Sequence, residues 1–230
     1  MPVNRISRSI AGSRLMLHPI LWVMLVCITI AYDGENPACA GEWQMVKKVF
    51  DGDTIVLENG TRVRYLGINT PEVAHKDHPA EYFGDKARQE NAKFVLRKKV
   101  RLEYDRERTD RFGRTLAYVF LEDGRFVNEL LVEKGCAYVF YHAFNTRYWD
   151  GLLEAQKRAI DANVGIWPFA KSFRGKFIGN RASKRFHHPT CRFAKKLHPK
   201  NKVPFSSLID GFRAGFAPCK ACVDFQSEKR

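Results

Sequence analysis

The sequence predicts an α+β, mainly β fold: a five-stranded barrel of OB type with about three helices, followed by a small C-terminal metal-binding module. Three observations carry this. Short stretches of strand-type patterning are separated by tight-turn signals, one amphipathic segment is inserted among them with two more trailing, and a histidine with three cysteines falls at ligand spacing after residue 185.

Taken in order, Trp43–Phe50 and Thr54–Glu58 read as strands, Asn59-Gly60 as a hairpin turn, and Thr61–Ile68 as the strand that returns. Tyr82–Lys98 places Phe83, Ala87, Phe94 and Val95 at helical spacing amid charge, which predicts an amphipathic helix. Val100–Tyr104 and Arg114–Leu121 follow as strands. Asn128–Lys134 reads as a short helix closed by Gly135, Cys136–Tyr141 as a last strand, and Tyr148–Asn163 as a last helix ending near Gly165.

The first forty residues are set aside from the fold. Arg5, Arg8 and Arg14 precede an apolar run from Ile20 to Ala31, and Ala38-Cys39-Ala40 offers a small-x-small cleavage signal. This is the layout of a secretory signal peptide, with cleavage after Ala40 and a secreted or periplasmic product. A retained leader would instead anchor the chain to a membrane. His18 and Pro19 break the run short of the roughly 20 apolar residues a span needs.

With 39 basic and 25 acidic residues the chain carries +14. The leader holds three arginines against Asp33 and Glu35, so about +13 stays with residues 41–230. Such an excess favours polyanions, either nucleic acid or an anionic wall or membrane surface, and charge alone does not choose between them. The remaining 190 or so residues suffice for one ordinary domain, 41–170, and a satellite. Residues 171–185 are rich in Lys, Arg and Gly, with few apolar positions spaced for burial, and read as a basic linker. Residues 186–225 form the second, smaller unit.

Three blocks carry the chemistry: Asp51-Gly-Asp53-Thr54, Arg64 to Glu72, and Asp110-Arg-Phe-Gly-Arg114. Singly they are bland. The first alone is a turn, the second an ordinary helix start with Pro71, and Arg114 a surface charge. Together they supply carboxylates, oxygen ligands and two guanidinium forks, the groups that phosphodiester hydrolysis beside a hard cation requires.

In order, spacing and residue type, residues 43 to about 169 resemble the staphylococcal nuclease (thermonuclease) family. The match runs through these blocks, Thr115-Leu-Ala-Tyr118, Val127-Asn-Glu129 and Gly165-Ile-Trp167. The resemblance implies a five-stranded OB-type barrel with three helices and a calcium-dependent phosphodiesterase, an endonuclease acting on DNA and RNA. It implies that Asp53, the Asn69 side chain and the Thr70 carbonyl hold Ca²⁺, with Asp51 behind them. It implies Glu72 as general base, Arg64 and Arg114 on the scissile phosphate, and Tyr141 as a substrate contact. No stable protein partner is implied, and a monomer is expected.

Two positions depart from the family pattern. Asn69 stands where the best-known members carry Asp, so one negative charge is missing and Ca²⁺ is expected to bind more weakly. Phe112 stands where a tyrosine is frequent. The segment Ala74–Glu81, with His75, Lys76 and His78, falls where the family has a substrate loop and reads as solvated. Two other classes stay open on sequence: a catalytically weakened OB-fold nucleic-acid binder, and a surface protein whose charge targets wall or lipid.

The tail, Phe186-His187-His188-Pro-Thr-Cys191 with Cys219-Lys-Ala-Cys222 after 28 positions, resembles the zinc module at the start of the Ada alkylation-repair protein. Three thiolates and one imidazole would close a tetrahedral structural Zn²⁺ site, with His187 preferred to His188. Disulfides are the rival in an exported chain. Cys136 sits in an apolar strand pattern, leaving an odd three cysteines in the tail, which fits a metal better.

Overall fold

The first strand carries the barrel's main irregularity. In a computed structural model that describes Met1 and residues 42–75 and 79–223, β1 (Gln44–Val49) pairs with β2 (Thr54–Leu57), and the register shifts between Val46 and Lys48. An extra residue at such a point bends a strand sharply, which a small barrel needs in order to close. β3 (Arg62–Tyr65) follows the Asn59-Gly60 turn, β5 (Lys99–Glu103) and β6 (Thr115–Leu121) come after a helix, and the order β1-β2-β3-β6-β5 closes on itself. β3 and β6 run parallel and the other pairs antiparallel. A two-residue strand β4 (Ile68–Asn69) pairs separately with β7 (Tyr138–Val139). The expected strand at Cys136–Tyr141 is thus a strand only over Tyr138–Val139. Residues described from 42 onward belong to one compact unit, Cys39–Arg230.

Alternation along the strands fills the barrel. Val46, Ile55, Leu57, Val63, Tyr65, Val100, Leu102, Ala117, Val119 and Leu121 are all buried in one cluster. Helix α1 (Gly84–Val95) covers it with Ala87, Asn91 and Val95, spaced four apart on one face. Asn91 is the polar member. Its Oδ1 accepts from the Tyr65 hydroxyl at 3.0 Å and its Nδ2 donates to the Asp51 carbonyl at 3.3 Å, so the helix is pinned to the turn that carries the first carboxylates. Helix α2 (Val127–Glu133) brings buried Asn128, which accepts from Val119 N–H and donates to the Leu66 carbonyl, fixing β6 beside the chain that leads into Asn69.

Helices α3 (Trp149–Ala162) and α4 (Trp167–Ala170) carry a second core. On it lies a four-stranded sheet, order β10-β8-β9-β11, from β8 (Phe177–Asn180), β9 (Arg185–His187), β10 (Lys202–Phe205) and β11 (Ala217–Pro218). The short helices α5 (Arg192–Lys195) and α6 (Leu208–Arg213) complete it. Part of the stretch read from sequence as a linker is therefore a strand. The signal was hidden because the inward positions of β8 are Phe177 and Gly179. A Cβ on Gly179 would come within 2.6 Å of the Phe205 ring, so the site that would advertise burial has to be glycine.

Nor is the tail short of a core. Trp167 meets Phe212 edge-on at 5.1 Å and Phe212 meets Phe186 at 5.2 Å, all three fully buried. Each buried Phe contributes about 1.5–3 kcal/mol, so the tail folds on apolar surface lent by α3 and α4. Gln156 of α3 joins the two parts. Its Oε1 accepts from Val139 N–H at 2.7 Å and its Nε2 donates to the Phe212 carbonyl at 2.6 Å.

Candidate active site and candidate metal centre

The Asp51–Thr54 turn presents its carboxylates inward. Asp51 Oδ1 accepts from Asp53 N–H at 3.0 Å, and Asp53, buried, accepts from the Thr54 hydroxyl at 3.2 Å and from Thr70 N–H at 2.8 Å. Arg64, projecting from β3, places Nη1 2.9 Å from Asp53 Oδ2. Burial dominates even so. It pushes the Asp53 carboxyl up to about 7, the Arg64 guanidinium recovering only part of the loss and Asp51 adding repulsion. A carboxylate so placed is short of positive charge.

Asn69 lies beside it, buried. Its Oδ1 accepts from Arg64 Nη2 at 2.9 Å, and its Nδ2 donates to the Thr70 carbonyl at 3.0 Å and to the Tyr138 hydroxyl at 2.9 Å. The donor set of Asp53, Thr70 and Asn69 is all oxygen, as a hard divalent cation requires. The amide, however, offers its nitrogen to Thr70 and spends its oxygen on Arg64.

Glu72 is held from its backbone. Its N–H donates to Glu81 Oε2 at 2.8 Å and its carbonyl accepts from Glu81 N–H at 2.9 Å. Gly84 must be glycine here, since a Cβ would fall 2.2 Å from the Glu72 carbonyl oxygen. The side chain is left half-exposed, its Oε1 3.1 Å from Lys220 Nζ. Arg114 is steered by Asp110, whose Oδ2 accepts from Nε at 2.8 Å and pairs with Nη2 at 2.7 Å. Burial would raise the Asp110 carboxyl, but the hydrogen bonds from Arg114 and from Phe112 N–H outweigh it and hold it low. Phe112 is exposed at the rim, with the Arg111 and Arg114 guanidiniums at 4.7 and 5.5 Å from its ring.

Asp51, Asp53, Arg64, Asn69, Glu72 and Arg114 line one open cleft of about 1060 Å³. Tyr141 packs edge-on against Trp149 at 5.1 Å, while its neighbours Phe140 and His142 form the cleft wall. His75 stacks on Phe50 at 5.6 Å and also faces the cleft; Lys76 and His78 lie outside the described residues, as does the leader. Sequence reasoning missed Lys220, Arg62, Arg111 and His142 as cleft residues. Arg111 could have been found within its block. Lys220 could not, because nothing local says where the tail folds back.

A second constellation sits in the tail. The ligand atoms of His187, Cys191, Cys219 and Cys222 all lie within 4.8 Å of one another. His187 Nδ1 is 3.6 Å from Cys191 Sγ and 3.9 Å from Cys222 Sγ, whereas His188 Nδ1 is 2.7 Å from the Thr190 hydroxyl. None of the four described cysteines is in a disulfide. Burial, then the nearby Arg185 charge, holds the His187 imidazole below its usual range, in the neutral form that ligates.

Paired arginines and carboxylates in the open cleft of a closed five-stranded barrel define a class, the small β-barrel nucleases. The family model described as staphylococcal nuclease homologue matches residues 62–168. A thermonuclease of Staphylococcus intermedius is 37% identical over 158 residues, spanning 64% of this chain and 94% of the relative. A thermonuclease of Staphylococcus hyicus is 37% identical over 125 residues, 53% of this chain and 73% of that one. The endonuclease YncB of Bacillus subtilis is 38% identical over 125 residues, 52% of this chain and 59% of its own. The chain belongs to the staphylococcal nuclease homologue family, and that membership supports a nuclease function. The family match ends before the His/Cys cluster begins.

Proposed function

We propose that the protein is an exported, calcium-dependent endonuclease hydrolysing phosphodiester bonds of DNA and RNA, with a structural Zn²⁺ in its C-terminal module. The observation that carries this reading is the convergence of Asp53, Arg64, Glu72 and Arg114 on one cleft. Asp53 and the Thr70 carbonyl would hold Ca²⁺, which supplies positive charge to a phosphate oxygen and to the buried carboxylate. Asn69 would join them with its oxygen turned away from Arg64.

Glu72 takes a proton from a water molecule as that water's oxygen bonds to phosphorus and the opposite P–O ester bond breaks. The departing oxygen is protonated from solvent. Arg64 and Arg114 donate to the non-bridging oxygens, where charge grows in the transition state. Arg114 is pre-set by Asp110, whereas Arg64 would give up Asp53 to reach the phosphate. His187, Cys191, Cys219 and Cys222 would close around Zn²⁺ with no open position, a structural rather than catalytic arrangement. Export rests on the leader, Arg5 to Ala40.

The test is cleavage of single-stranded DNA and of RNA with Ca²⁺ or chelator, beside Glu72→Gln. Calcium-dependent cleavage lost in the variant supports the reading. Retained binding with no cleavage at millimolar Ca²⁺ favours the second reading, a weakened nucleic-acid binder, for which the orientation of the Asn69 amide speaks.

A further inference from the structure

Lys220 lies 148 residues from Glu72 along the chain, yet its Nζ reaches Glu72 Oε1 at 3.1 Å and its side chain lines the same cleft as Arg64 and Arg114. It sits between two members of the His/Cys cluster, in the turn Cys219-Lys-Ala-Cys222. That turn is tight: Cys222 and Val223 N–H both donate to the Cys219 carbonyl at 3.0 Å. It is anchored to β9, since Cys219 N–H donates to the Phe186 carbonyl at 2.9 Å and β11 runs parallel beside β9. His187, next to Phe186, is the ligand that faces both Cys191 and Cys222. The same strand sends Arg185 over the ring of Phe140, a cleft-wall residue, at 3.6 Å. The tail is therefore part of the wall.

We propose that Lys220 is a substrate-phosphate ligand of the cleft, and that metal capture by His187, Cys191, Cys219 and Cys222 is what holds it there. In the free protein the ammonium rests on Glu72. Its side chain is 62% exposed and the carboxylate 40%, so this is a weakly held surface pair. Glu72 accepts from one of the three N–H donors of the Lys220 ammonium. A polyanion entering a cleft already carrying Arg62, Arg64, Arg111 and Arg114 brings phosphate oxygens within reach of the same ammonium. As Lys220 moves to phosphate, Glu72 is released to face water. The proposal rests on the nuclease reading for the path of the substrate, but it is tested without cleavage.

The experiment is binding of a short fluorescent single-stranded DNA to the purified chain in Ca²⁺-free buffer over a range of salt. Lys220→Ala should weaken binding several-fold and lower the slope of log Kd on log salt by about 0.7, the loss of one phosphate contact on a single strand, with Lys220→Arg restoring both. Unchanged affinity and slope in Lys220→Ala would overturn the proposal. Stripping the metal with EDTA should bring the wild type to the level of Lys220→Ala and leave Lys220→Ala where it was. Equal losses in both proteins, or a purified chain with no metal, would overturn the part played by the cluster. Should DNA bind through Lys220 while Ca²⁺ gives no cleavage, the nuclease reading fails and this one stands.

Discussion

Asn69 turns its amide nitrogen toward the Thr70 carbonyl, at 3.0 Å. Where a cation site would place two oxygens side by side, this chain has an N–H···O bond. The amide N–H thus gives the Thr70 carbonyl a positive partner from within the chain.

Asn69→Asp removes that bond and sets a carboxylate against the Thr70 carbonyl and near Asp53. It should destabilise the calcium-free protein and tighten calcium binding, because ligand charge sets affinity at such sites. Calorimetric titration of both proteins with Ca²⁺ is the check; equal affinities would sink the idea.

Glu72→Gln keeps the shape of the side chain and the backbone clamp from Glu81 while deleting the proposed base. A general base contributes typically about 10²–10⁴-fold, so kcat should fall by that much with little change in DNA binding. Steady-state cleavage beside Ca²⁺-free binding separates the two effects.

Gln156→Leu severs the link from α3 to both β7 and α6. It leaves the Val139 N–H buried without its acceptor, which costs about 1–3 kcal/mol, while the Phe212 carbonyl loses one donor and keeps the Gly215 N–H at 2.9 Å. Urea unfolding followed by fluorescence should show a lower midpoint. No shift would mean that the two cores are not coupled through this residue.

The four described thiols should differ in reactivity. Burial, then the Glu90 charge, pushes the Cys136 thiol up to about 12, with Lys134 and Lys93 opposing. The unfolded thiol ionises near 9.0, so the folded state holds the proton longer. Its stabilising contribution is complete below that value and is lost as pH climbs toward 12. Alkylation at pH 8 followed by peptide mapping should leave Cys136 untouched until the chain unfolds. Cys191, Cys219 and Cys222 should become reactive once metal is removed. Modification of Cys136 in the folded protein would refute the assignment.

Much of the barrel is legible in the sequence because its signals are local. Strand alternation, the Asn59-Gly60 turn and the α1 spacing each need only a few neighbouring residues, and the elements fall within a few positions of expectation. The site blocks are legible for the same reason. The tail was harder. Gly179 hides an inward position of β8, and the aromatic residues of the tail announce no partner until α3 and α4 are laid under them.

What the sequence determined by itself is therefore the list of chemical groups: the carboxylates, the two arginines, the oxygen donors, and four candidate ligands in pairs of fixed spacing. What only the tertiary structure decided is direction and company. It chose His187 over His188 by the face that β9 presents, turned the Asn69 amide by what Arg64 donates and Tyr138 accepts, and carried Lys220 across the molecule to Glu72. A residue type and a short spacing are local properties. Which way a side chain faces, and what meets it, depends on contacts between segments far apart in the chain, and those exist only once both cores have formed.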